Sequence, residues 1–535
     1  MRAALRDPAV VYRRRWLTLL VLCISLVVIV LDNTILNVAL PTMAHPVSEG
    51  GLGATASQLQ WIVDSYTLVF AGLLLTAGSL GDRFGRYRFL AIGLSIFGLG
   101  SLMSAMAGSA TTLIFTRSLM GIGAAFIMPA TLSIITNVFT DPRERGKAIG
   151  IWAGVSALGV GIGPITGGLL LEHFWWGSVF MVNVPIVIAG LILGYWLIPE
   201  SKDPSHAALD PFGAVLSIGA LGTILWAVIE APSKGWTSST ILTAFTVGFL
   251  ILGAFFAWEL HSTHPMLDMR FFENPRFSAA SGAITLVFLA MFGSLFLMTQ
   301  YLQGVLGYST VKAGAVLIPQ AVTMMILAPL SPIWVRRFGN KLVVAAGLTI
   351  VATSFILFST FQPNSSTLHI ILVMMLMAVG MSHVMAPCTD SIMGSLPRAK
   401  AGVGSAVNDT TRQMGGAIGV AVFGSLMASH FTTSMADKLG SVLPDALVGQ
   451  VKDNINSALA IAAKVPGAQP FRAQIVGAAN DSFVSGLHII GVVAAVITLL
   501  AAVGVLIFLP ARARDDAEVN ATPAQLEPVP VGVAG

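Results

Sequence analysis

The stretch WLTLLVLCISLVVIVLDNTILNVALP, Trp16 to Pro41, is an apolar run long enough to cross a bilayer as a helix, and it carries a single carboxylate, Asp32, deep inside it. An Asp at the centre of a membrane helix costs roughly 2.5–3.5 kcal/mol on insertion scales, so such an acid marks a substrate or proton site by default. The run is too long for a signal peptide and lacks a small-residue cleavage pattern, so it is expected to remain as a helix. Outward from it, the same apolar character recurs. The 535 residues are 55% hydrophobic and only 10% charged, against about a quarter charged in soluble domains.

Windows of about 18 or more apolar residues predict fourteen spans. They lie at 16–40, 57–77, 89–107, 112–137, 147–171, 179–198, 212–230, 240–259, 279–302, 313–334, 342–361, 368–393, 402–429 and 485–510. Cationic residues test the count, because Lys and Arg collect in cytoplasmic loops. With the N-terminus placed inside, only Lys234, Lys312, Lys438, Lys452, Lys464 and Arg472 fall outside, and Arg117 and Arg412 fall within spans. The other 21 of 29 lie on the cytoplasmic side. Shifting the frame by one helix inverts the bias, so the chain is expected in the cytoplasmic membrane with both termini cytoplasmic. The net charge of +4 therefore points to no nucleic-acid partner. Cys23 and Cys388 lie in apolar spans without metal or disulfide spacing and read as packing residues, so no metal site is expected. The tail after Leu509, with Asp515, Asp516 and Glu518, is expected to be disordered.

Span two ends in a charged turn, Gly78-Ser-Leu-Gly-Asp82-Arg83-Phe-Gly85-Arg86-Tyr-Arg88. Anionic-lipid anchoring would account for the arginines but not for the spacing of Asp and Gly. Gly85 permits a backbone that other residues resist. This spacing matches the signature loop after the second helix of the major facilitator superfamily, and the resemblance implies a gating contact between two halves. Leu31 to Pro41 looks like the first-helix motif of that superfamily's fourteen-helix drug:proton antiporters. Leu113-Ile-Phe-Thr-Arg117-Ser-Leu-Met120-Gly121-Ile-Gly123 is similar to the fourth-helix motif, with Met120 where the pattern has Gln. Gly159-Val-Gly161-Ile-Gly163-Pro164-Ile-Thr-Gly167-Gly168 resembles the fifth-helix motif of exporters. Pro329 to Lys341 reads as a degraded copy of the Gly78 to Arg88 turn, without a matching Asp, as two related six-helix bundles would leave.

The fold expected is thus all-α and polytopic, a major facilitator fold of two six-helix bundles plus two inserted helices. The divisions expected are a cytoplasmic N-terminus (1–15), an N-terminal bundle (16–200), a linker with the inserted helices (201–275), a C-terminal bundle (276–511) with a long external loop (430–484), and a cytoplasmic tail (512–535). That loop reads as a helical hairpin on the outer surface. Glu230 and Glu259, at span ends, are read as solvated at the interface. Gly159, Gly163 and Gly167 recur every four residues and, with Pro164, are expected to give a smooth, bendable face between the halves.

At 1.5 Å rise per residue, Asp32 lies roughly 24 Å from the cytoplasmic start of its span, Asp64 roughly 10 Å and Arg117 roughly 8 Å from the outer starts of theirs. The three are expected to converge in the outer half as one cation and proton site. Two carboxylates sharing a site of low dielectric resist being charged together. An arriving cation would then expel a proton, which is the physical content of exchange. The resemblance adds acids at the Asp32 and Asp64 positions in exporters of quaternary ammonium compounds. A second polar cluster, Asp409 and Arg412 one turn apart with Asp390 at comparable depth, is either a structural ion network at the inner gate or a substrate contact.

The function expected is proton-driven export of hydrophobic, cationic drugs or dyes, with the proton as coupling ion, no cofactor, no enzymatic activity and no obligate protein partner beyond the lipid bilayer. Export of a dedicated lipid or metabolite, and a non-transporting membrane sensor, are the alternatives. No phosphate-binding loop exists in the chain, because Gly159 to Gly168 lacks the Lys and Ser/Thr of one.

Overall fold

The computed structural model describes residues 7–44, 46–203, 210–263, 265–440, 443–452 and 454–510. Among them there is no strand, and fourteen helices are long and apolar enough to cross a membrane. They are α1 (Pro8–Ala44), α2 (Ala56–Phe84), α3 (Arg86–Ala105), α4 (Ala110–Val138), α5 (Pro142–His173), α6 (Ser178–Leu197) and α7 (Pro211–Lys234). The remainder are α8 (Ser239–His261), α9 (Pro275–Val305), α10 (Val311–Phe338), α11 (Asn340–Leu357), α12 (Thr367–Gly394), α13 (Ala401–Leu439) and α14 (Arg472–Phe508). The tail expected to be disordered lies outside the described residues, as do the first six residues of the N-terminal segment.

Short polar caps start several of these helices. Thr55 and Gln58 form a reciprocal capping box at α2, while Ser109, Asp141, Ser238 and Ser366 each accept a backbone N–H at the first turn of α4, α5, α8 and α12. Pro142, Pro211 and Pro275 occupy first-turn positions, where no N–H is needed.

Two hydrophobic cores result, one drawn mainly from α1–α6, with Met393 and Ala401 of the second half at its edge, and one centred on α9–α14. The two halves preserve a common turn: Gly85 between α2 and α3 has φ +122°, and Gly339 between α10 and α11 has φ +82°. In register with Asp82 the second turn has Arg336, which is exposed. Near Gly85, the Glu200 carboxylate accepts the N–H groups of Tyr87 and Arg88, an anion at the start of α3.

The inserted pair is asymmetric. α7 packs on α2 of the first half and on α13 of the second, and the loop after it reaches the second half again through Trp236 Nε1 donating to Ser425 Oγ at 2.8 Å. α8 stays on the perimeter, with Phe249, Leu250 and Leu260 exposed. Glu230 and Glu259 are not solvated as expected. Glu230 is buried and pairs with Lys234 one turn on in its own helix at 3.2 Å, and Glu259 is buried where the segment after α8 folds back, with Leu267 N donating to it at 3.1 Å.

The external loop is shorter than expected, since α13 runs on to Leu439 and α14 begins at Arg472. The short helices Asp445–Val451 and Ile455–Lys464 do form within it. They pack over the second half: Thr432 Oγ1 of α13 donates to Lys452 O at 3.0 Å, and Ile455 packs on Gly304 at the end of α9.

Candidate functional site

Asp32 and Arg117 have no solvent exposure and form a direct ion pair, Arg117 Nη1 to Asp32 Oδ2. Around it, Asn183 Nδ2 donates to Asp32 Oδ1 at 3.0 Å and to Ser101 Oγ at 3.0 Å, and Arg117 Nε donates to Ile62 O at 3.1 Å. The guanidinium lies 4.4 Å from the Tyr66 ring centroid. Met120, at the position where the fourth-helix pattern has Gln, brings its sulfur to 3.9 Å from Arg117 Nη1 and to 3.5 Å from Ser104 Oγ. Arg117 Nη2 and Asn183 Oδ1 have no hydrogen-bond partner, so the cluster holds capacity in reserve. Gly121 and Gly123 let α4 approach the backbones of α2 and α3 and carry Arg117 to this depth.

Asp64 does not join them. Ile62 and Tyr66, two residues to either side, face Arg117, and two residues on a helix is a turn of about 200°. Asp64 therefore lies on the opposite stripe of α2, with Leu75 and Gly78, toward α7 and α13, where Glu230 is its charged neighbour. The depth estimate was one-dimensional and carried no information about rotation.

At the end of the molecule that bears the basic turns, the Gly78 to Arg88 segment joins the halves. Asp82 accepts from Gly402 N at 2.9 Å and Val403 N at 3.1 Å, the free amides at the start of α13, and pairs with Arg86 at 2.6 Å. Arg86 Nη2 in turn donates to Arg398 O and Ala399 O at 2.9 Å. Gly78 is required here because a Cβ would come 2.5 Å from Gly402 O. Arg83 instead lies over the Phe84 ring, 5.3 Å away. Arg145 of α5 and Asp390 of α12 add a second ion pair across the halves, 2.9 Å.

The Gly159, Gly163 and Gly167 stripe does not face the other half as expected. It packs on α1 inside its own half, against Val30, Thr34 and Ile35, with Thr34 Oγ1 filling the space a Gly163 Cβ would need. Pro164 does reach across, with its Cβ 3.0 Å from a Cβ built on Gly314. The stripe toward α10 is Gly146, Gly150 and Gly154, which approach Pro332, Pro329 and Met325. Four-residue spacing in PRERGKAIGIWAG could have found it.

Asp390 is separate from the Asp409 cluster, but its neighbour Thr389 accepts from Arg412 Nη2 at 2.9 Å and donates to Asn408 Oδ1 at 3.2 Å. Arg412 and Asp409 are 3.9 Å apart. Beside them a cavity of about 100 Å³ opens between α5, α9, α10 and α12, and sequence periodicity had not located it. Seven methionines line it, among them Met291, Met377 and Met385, with Phe288, Phe292 and Phe358. Its polar groups are Ser156, Ser294 and Gln320, with no carboxylate. A drug-sized ligand needs about 300 Å³ or more, so the methionines must repack to admit one, which three soft torsions each allow. A larger open groove of about 1530 Å³ lies on the perimeter by Tyr12, Arg88 and Glu200 and touches none of these groups. Cys23 and Cys388 are buried and unbridged.

Comparison with known proteins gives the same architecture. The chain is 38% identical over 489 residues to the multidrug efflux pump LfrA of Mycolicibacterium smegmatis, covering 91% of this chain and 95% of that one. It is 33% identical to the methyl viologen resistance protein SmvA of Salmonella typhimurium, covering 88% and 93%, and 32% identical to the multidrug resistance protein Stp of Mycobacterium tuberculosis, covering 89% of each. Among solved structures, the human organic anion transporter MFSD10 superposes with TM-score 0.57 at 14% identity over 92% of this chain and 99% of that one. The proton:xylose symporter XylE gives 0.56 at 16%, over 93% and 96%, and both show the fold alone. Residues 22–420 match the Major Facilitator Superfamily model, and with fourteen membrane helices in two halves joined at the Gly78 to Arg88 turn, the chain belongs to that superfamily of transporters.

Proposed function

We propose that this transporter exports hydrophobic, cationic drugs or dyes across the cytoplasmic membrane in exchange for protons, with both termini in the cytoplasm. The observation that carries the reading is the sealed Asp32–Arg117 pair, an ionisable group with no structural need to lie in an apolar core. The full-length similarity to proteins named as multidrug efflux and resistance pumps supports the cargo class. Proton arrival at Asp32 would release Arg117 and loosen α1 from α4 and α6; loss of that proton restores the pair. An inward gradient, about 1.4 kcal/mol per pH unit and about 2.3 kcal/mol per 100 mV, would drive the cycle. The basic end, held closed by Asp82, Arg86 and Arg145, would be the cytoplasmic gate.

The test is efflux of a fluorescent lipophilic cation from cells expressing wild type or Asp32→Asn, with and without a protonophore. Collapse of wild-type efflux with the protonophore, and no efflux by Asp32→Asn when compared with wild type at equal amounts of protein in the membrane, support the reading; unchanged pumping by Asp32→Asn overturns it. One observation favours a second reading: the cavity has no carboxylate in its lining, which suits a neutral lipid or metabolite. Such cargo would be indifferent to loss of a nearby acid.

A further inference from the structure

Arg412 is placed unusually for a buried arginine beside a buried aspartate. Its guanidinium lies 5.0 Å from the Trp152 ring centroid and 5.2 Å from that of Phe288, in a cage with walls from both halves of the molecule. Its distance to Asp409 is 3.9 Å, where a bonded arginine–carboxylate pair closes to about 2.8 Å. Both partners are left incomplete: Arg412 Nε and Asp409 Oδ2 are buried without a hydrogen-bond partner. The contrast is Arg117, which bonds its own carboxylate directly. Trp152 is fully buried and held by donating to Thr131 Oγ1 at 3.2 Å, and Phe288 also lines the methionine cavity, so the cage and the cavity share a ring as their common wall.

We propose that the Arg412 guanidinium is a tethered stand-in for the transported cation, occupying the Trp152–Phe288 cage until a substrate cation takes its place. The proposal rests on the reading of the cargo as cationic. A delocalised cation entering the cavity meets the same two ring faces and is repelled by the guanidinium between them. Displaced, Arg412 moves onto Asp409, where Nε and Oδ2 are both open to a bond. Because Trp152 belongs to α5 and Arg412 to α13, the displacement also removes a tie between the halves. Substrate binding and release of the halves become one event, and neutral cargo lacks the charge to trigger it.

The experiment is binding of tetraphenylphosphonium, and of neutral triphenylphosphine oxide, to the purified full-length protein in lipid nanodiscs. Arg412→Gln is expected to bind the cation on the order of tenfold tighter than wild type, with affinity for the neutral analogue within about twofold. Should Arg412→Gln alone fail to fold, Asp409→Asn with Arg412→Gln leaves no unpaired buried charge, and it is expected to bind the cation tighter than Asp409→Asn. Cation affinity unchanged or weakened in both comparisons overturns the proposal. So does equal tightening for the neutral analogue, which would mean that the variant only makes space. If wild type and all variants bind the neutral analogue and no cation, the cationic reading fails and this proposal with it.

Discussion

A guanidinium sealed against a carboxylate without solvent is stable only as a pair. Arg117→Leu is therefore expected to cost about 3–5 kcal/mol, read as lost yield and a lower melting temperature in detergent, with Asp32→Asn added to the same chain recovering most of it. Asp82 makes a different demand, since it caps the amides of a helix in the other half. Asp82→Asn should remove about 1.5–3 kcal/mol from the closed state of the basic end, seen as faster thiol labelling at a cysteine introduced there and reduced efflux. Asp32 and Asp82 were legible in the sequence because each is a charge out of place, one in an apolar run and one in a spaced Gly turn. The cage around Arg412 was not, because Trp152 and Phe288 are ordinary core aromatics until the fold brings two halves together. Asp64 shows the same limit: depth can be counted along a helix, while the face it presents depends on its neighbours.

At the scale of elements, α5 carries two glycine faces with two partners. One fits α1 so closely that Thr34 takes the space of a missing Cβ on Gly163. Gly163→Ala is expected to lower stability by about 1–3 kcal/mol, and Thr34→Ala in the same chain to restore it, measured by thermal unfolding in detergent. The other face lies along α10. Glycine spacing named the helix correctly and its partner wrongly, since a four-residue repeat says that something comes close without saying which neighbour does. Helix number was readable because long apolar runs are a local signal, whereas the ends of α13 and α14 were not, because both helices run on past their apolar stretch. The burial of Glu230 and the seat of α7 between the halves were not, because they depend on packing between segments far apart in the chain.

For the whole molecule, alternating access requires the basic end to open, and that end is closed by α5 against α10 as well as by ion pairs. Cβ atoms at Gly146 and Pro332 would stand 3.5 Å apart, within disulfide range. Gly146→Cys with Pro332→Cys, in a background lacking Cys23 and Cys388, is expected to stop dye efflux on oxidation and regain it with a reductant. Efflux that continued through a quantitatively formed crosslink would show that this end need not part. Among the described residues the short helices over the far end pack on the second half and would travel with it, whereas α7 touches both halves and would have to shift against one of them if the halves rock. The methionine lining has a further consequence, in redox chemistry. Seven thioethers around one cavity are seven sites for sulfoxide formation, each turning a soft apolar wall into a polar one. With cargo seated in this cavity, an oxidising cargo would reach all seven sulfurs at once, and the resulting sulfoxides would lower transport until they were reduced.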